Sequence, residues 1–157
     1  MIRITVPASL RYRDVVIRAV AATCRLIRAA GAGPTDRADE SLDLADPFDA
    51  AVVSAFAELL NNICLHGHDG GPPGDIEIEL EPRSGELAAR ITEHGQPFEL
   101  DTVPEPDLAA LPEGGMGIHI CRQLLDFIGY QPGPPNVWTL KKRYRQPLTR
   151  PTAAADE

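Results

Sequence analysis

Between Asp46 and His68 runs DPFDAAVVSAFAELLNNICLHGH, the stretch that most limits what this chain can fold into. Asp46 followed by Pro47 marks a helix start. The aspartate side chain can cap free backbone N–H groups, and the proline has a helical φ where its missing N–H costs nothing. Phe48, Val52, Ala55, Leu59 and Ile63 recur at spacings of three and four, the pattern of one apolar helix face that needs a core to lie against. Gly67 and Gly70-Gly71 then end the helix. A second stripe runs through it: Ser54, Glu58, Asn61, Asn62 and His66. Glu58, Asn62 and His66 follow one another at intervals of four and share a face. Polar groups on a mostly apolar helix need partners, from the protein or from a ligand, because burying them unpaired is costly.

A chain of 157 residues suffices for one domain with a proper core. Its net charge of −8 and the lack of a dense basic stripe argue against non-specific binding to nucleic acid or an anionic membrane. Protein and small-molecule partners are the expectation. No signal peptide is evident, and no apolar run is read as approaching membrane-spanning length. Cys24, Cys64 and Cys121 are far apart, each in a helical apolar pattern and none at metal-ligand spacing. They read as buried free thiols of a cytoplasmic protein.

The other elements follow in order. Ile2, Ile4 and Val6 alternate as a strand stopped by Pro7. Ser9 caps a predicted helix over 10–30, with Leu10, Val15 or Val16, Ala19, Ala22, Leu26 and Ile27 on its buried side. Gly31 to Asp46 is an acidic connection. Ile76, Ile78 and Leu80 alternate with acids, Pro82 to Gly85 turn the chain, and Leu87, Ala89 and Ile91 return it as a hairpin. If those three point inward, so does Glu93, and a carboxylate there needs a hydrogen-bond donor. Gly95 follows, where the backbone can turn or come close to a ligand. The stretch 96–115, rich in proline and acids, reads as a lid or a disordered loop. Gly114-Gly115-Met116-Gly117 then opens a helix whose apolar side is Ile118, Cys121, Leu124, Leu125 and Ile128. Glycines before a helix leave N–H groups free at its positive end, a ready phosphate site. Residues 137–144 close as a strand, and 146–157 have too little to bury to be ordered. The prediction is one domain over 1–145, an α/β two-layer sandwich with helices on one face of a mixed, mostly antiparallel sheet.

Three pieces carry chemistry: the Glu58–Asn62–His66 stripe, Glu93-His94-Gly95, and Gly114-Gly115-Met116-Gly117. Each alone is a weak signal, since a helical Glu and Asn commonly face water and GxG recurs by chance. In this order, with the VPASLRYRDVVIRAV opening, the chain resembles the GHKL ATPase superfamily and its Bergerat fold. It looks most like the anti-sigma-factor serine/threonine kinases of bacterial partner-switching systems. The resemblance spans nearly the whole chain, from Ile2 to about Arg143.

The resemblance implies that ATP and Mg²⁺ are the cofactors. Asn62 would ligate the metal through its amide oxygen, Glu58 would act as base or orienter for an attacking hydroxyl, and Asn61 and His66 would flank the phosphates. Glu93 and Gly95 stand where the family has Asp-x-Gly to bind adenine. Glutamate keeps the acceptor but is one methylene longer, which in a tight pocket costs about 1–3 kcal/mol. Gly114, Gly115, Met116 and Gly117 match the lid end that closes over the triphosphate. The implied partners are a STAS-type anti-anti-sigma protein and a sigma factor, with homodimerisation a family-level expectation. A Bergerat-fold adaptor acting by protein contact without catalysis is the alternative. A sensor histidine kinase would need a phosphoacceptor histidine, and the helix over 10–30 has none.

Overall fold

The computed structural model describes residues 1–31, 44–66, 74–97 and 116–145. Within them, β1 (Ile2–Pro7), β2 (Asp75–Arg83), β3 (Glu86–Glu93), β4 (Phe127–Gln131) and β5 (Asn136–Arg143) form one sheet in the order β1-β2-β3-β5-β4. Every neighbouring pair is antiparallel. The α-helices are α1 (Arg13–Gly31), α2 (Pro47–His66) and α3 (Met116–Leu124), with a short 3₁₀ turn at Leu10–Tyr12. The inward sheet residues Ile76, Ile78, Leu80, Leu87, Ala89, Ile91, Trp138 and Leu140 share one core with Val16, Val20, Ile27, Phe56, Leu59 and Ile118 of the helices. Most outward positions are polar, as in the Arg3–Glu79 pair at 2.9 Å. This is the two-layer architecture expected, α+β in class.

The central helix follows the sequence closely. Asp46 Oδ1 accepts from the backbone N–H of Phe48 at 2.8 Å and of Asp49 at 3.2 Å, so the cap forms as the Asp-Pro start predicts. Phe48, Val52, Ala55, Leu59 and Ile63 are all buried, and so are Phe56 and Leu60. By length and mean hydropathy Pro47–Leu65 would pass for a membrane span, contrary to the sequence expectation. Its apolarity has another cause: α2 lies among α1, α3 and the sheet, so most of its circumference faces protein.

Two further sequence expectations fail. The helix expected over 10–30 is divided, a 3₁₀ turn preceding α1, and its buried side is Val16, Val20, Cys24 and Ile27. Leu10, Val15 and Leu26 are exposed instead. Apolar residues occur almost all round α1, so periodicity admits several phases and only the contact with α2 selects one. The second failure is β4. Ile128 belongs to this strand, not to α3, which ends at Leu124. Only Leu125 and Asp126 separate helix from strand, and no Gly or Pro marks the break. The chain turns there because the Asp126 N–H donates to the Lys141 carbonyl at 3.0 Å, a long-range bond. The expected tail, 146–157, and most of the connection after α1 lie outside the described residues.

An unforeseen ion pair ties α1 to α2. Arg28 Nη2 donates to Asp49 Oδ2 at 2.8 Å, and the Asp49 side chain is fully buried. Burial, then the Asp49 charge, push the neighbouring Cys24 thiol up to about 12.

The fold gathers its chemistry at one end. The end of β1 pairs with the start of β2, Pro7 opposite Asp75, and the end of β3 pairs with the start of β5, Glu93 opposite Asn136. The start of α1 meets the last turns of α2 at this end, where the Ala8 N–H also donates to the Gly74 carbonyl at 2.8 Å.

Candidate functional site

Ala55, Glu58 and Asn62 lie at helical spacing on α2 and face the start of α3. The Cys121 thiol donates to the Ala55 carbonyl at 3.3 Å. A Cβ placed on Gly117 would stand 2.9 Å from Glu58 Oε2 and 3.1 Å from Asn62 Nδ2. Any side chain at 117 would therefore displace the carboxylate and amide that share this corner. Burial, and then the Glu58 charge, push the Cys121 thiol up to about 12, so it stays protonated and inert beside the site. The corner holds a half-buried carboxylate and an amide at a helix N-terminus, where the backbone dipole favours an anionic ligand.

Glu93 forms the second part. The hairpin register turns it inward, and it is 5% exposed. Its Oε2 accepts from the Gly95 N–H at 2.5 Å, so the donor that a buried carboxylate requires is supplied two residues on. Asn136, opposite Glu93, is fully buried. Its Nδ2 donates to the Gly95 carbonyl at 3.0 Å, and its Oδ1 accepts from the Gly133 N–H at 3.0 Å. Gly95 is thus held through both its N–H and its carbonyl. The sequence reading missed Asn136. The signal available was parity: Asn136 shares the inward phase of Trp138 and Leu140.

The remaining candidates separate. Asn61 Oδ1 accepts from Arg13 Nη1 of α1 at 3.0 Å. Met116, the first residue of α3, is half-buried, while Gly114 and Gly115 lie outside the described residues. His66 ends α2, and its side chain also lies outside them. Among the described residues no three His, Cys, Asp or Glu side chains cluster as a metal site. The oxygens present, one amide and one carboxylate, suit a hard cation that keeps most of its shell as water and phosphate oxygen, which is how Mg²⁺ is commonly held. A nucleotide and Mg²⁺ therefore fit the residues at this corner.

The profile of the histidine kinase-like ATPase domain matches residues 6–141. Anti-sigma F factors from a type B and a type E strain of Clostridium botulinum are each 32% identical over 79 residues, covering 48% of this chain and 55% of theirs. The chain thus spans about half the length of these curated relatives. Among solved structures, a histidine kinase domain of a blue-light activated histidine kinase from Erythrobacter litoralis superposes with a TM-score of 0.50 at 17% identity, over 88% of this chain and 61% of that one. It shares the fold. The resemblance to GHKL ATPases, and within them to anti-sigma factors, is borne out by these likenesses, and the chain belongs to the histidine kinase-like ATPase domain family.

Proposed function

We propose that this chain is a cytoplasmic anti-sigma factor and protein serine/threonine kinase. It takes Mg·ATP and phosphorylates a hydroxyl on a STAS-type anti-anti-sigma partner. Phosphorylation of that partner frees the kinase to hold a sigma factor, so the reaction regulates transcription by partner switching. The observation that carries this reading is the corner where Glu58 and Asn62 meet Gly117 at the opening of α3.

Each residue has a task that its chemistry allows. Glu58 orients the partner's hydroxyl and takes its proton as the new O–P bond forms and the bond to the leaving ADP oxygen breaks. Asn62 would hold Mg²⁺, which when bound neutralises phosphate charge. Glu93 would accept from the adenine amino group. One of its oxygens already serves Gly95, and a carboxylate has acceptor capacity for more. Gly117 admits phosphate and side chains to the same corner. His66, Gly114, Gly115 and Met116 are proposed to line the phosphates.

The test is transfer of labelled phosphate from ATP to a STAS-domain protein. The expected result is one phosphorylated serine or threonine, lost in Glu58→Ala while Mg·ATP binding persists. Transfer undiminished in Glu58→Ala would overturn the role. The adaptor reading draws on Glu93, the one motif residue that departs from the family's aspartate. It predicts no nucleotide binding by the wild type and recovery in Glu93→Asp.

A further inference from the structure

The charge around the candidate site is unusually one-sided. Residues 38–82, which include all of α2 and the start of β2, contain no lysine or arginine. Residues 91–121, from the end of β3 into α3, contain none either. Every segment assigned above to nucleotide binding falls within these two spans. Glu58 and Glu93 are there instead, and both add negative charge. A triphosphate carries several negative charges, and phosphoryl transfer proceeds by positioning and neutralising them. One divalent cation leaves part of that charge uncompensated.

The structure supplies a cation from another element. Arg13, at the first position of α1, reaches across to α2 and donates through Nη1 to Asn61 Oδ1 at 3.0 Å. Asn61 adjoins Asn62, so Arg13 lies against the same last turns of α2 that carry Asn62. Its side chain is exposed, so it is open to a ligand. A guanidinium has five donors, and a single bond to Asn61 leaves others to bind phosphate oxygens. With its oxygen accepting from Arg13, the Asn61 amide has its N–H groups to donate.

We infer that Arg13 is a nucleotide-binding residue: with Asn61 it engages the terminal phosphate and makes the site discriminate ATP from ADP. This rests on the nucleotide reading given above. It also gives α1 a stake in which nucleotide is bound, since the cation that reads the phosphate is the helix's first residue.

Calorimetric titration with Mg·ATP and Mg·ADP tests it on wild type, Arg13→Ala, Arg13→Lys and Arg18→Ala. Arg18 lies on the same helix and pairs with Asp14, so its removal controls for net charge. In Arg13→Ala the affinity for ATP is expected to fall at least about tenfold while that for ADP changes by less than about twofold. Arg13→Lys restores part of the ATP affinity, and Arg18→Ala matches wild type. An unchanged ratio of ATP to ADP affinity in Arg13→Ala would overturn the assignment while leaving the nucleotide site standing. Wild type that binds neither nucleotide would overturn the nucleotide reading itself, and this assignment with it.

Discussion

Helix α2 carries inward-turned carboxylates at two places, and they are treated in opposite ways. Near its start Asp49 is fully buried and closed off by the Arg28 guanidinium at 2.8 Å. Nine residues later Glu58 is half-buried, makes no ion pair among the described residues, and faces a glycine. The first carboxylate joins two helices. The second faces Gly117, and the proposed function gives its acceptor oxygens to the partner's hydroxyl. Sequence position on the helix does not separate these roles; what stands across from each side chain does.

The comparison can be broken by exchanging the expected consequences. Glu58→Gln is predicted to lower phosphoryl transfer by about 10²–10⁴-fold, the usual range for a lost general base, with the melting temperature nearly unchanged. A transition that collapses instead would make Glu58 a structural group like Asp49. Asp49→Ala should show the reverse, losing about 3–5 kcal/mol in chemical denaturation because the Arg28 charge is left without its partner. A loss below about 1 kcal/mol would remove the distinction.

Gly117→Ala sharpens the same contrast. The added methyl meets the tip of a flexible glutamate, which can move at little cost, and alanine favours a helix over glycine by about 1 kcal/mol. Stability should hold or rise slightly. Displacing Glu58 by about 1 Å should still reduce transfer by up to about 10²-fold. Single-turnover rates and thermal melts on the same preparation would read both.

The smallest effect concerns the two buried thiols that border these carboxylates. Cys24, beside Asp49, and Cys121, beside Glu58, are each pushed up to about 12 in the folded chain, above the ordinary thiol value of 9.0. The unfolded chain releases these protons first as pH rises. The stability they contribute is therefore complete below about pH 9 and lost progressively toward about pH 12. Urea denaturation at about pH 8 and about pH 10 should show the decline, and replacing both thiols with alanine should flatten it. An equally steep decline in that double variant would assign the pH dependence to other groups.

Much of the site was legible because local rules carry it. The Asp46 cap, the buried face of α2 and the inward turn of Glu93 each follow from a periodicity or a capping preference that neighbouring residues enforce. What escaped depends on elements distant in sequence. The phase of α1 is chosen by α2, and β4 is held to β5 by pairing that the FIGYQ stretch does not announce. The Arg28–Asp49 and Arg13–Asn61 contacts join positions 21 and 48 residues apart. Asn136 follows from strand parity only once its register against Glu93 is known.

The central claim is that the Glu58–Asn62 corner binds a nucleotide through its magnesium. Its most direct test is calorimetric titration of ATP into wild type and Asn62→Ala, with and without Mg²⁺. The account predicts binding by wild type that depends on Mg²⁺ and is lost in Asn62→Ala, with the variant folded by circular dichroism. Mg·ATP bound as tightly by Asn62→Ala as by wild type would contradict it.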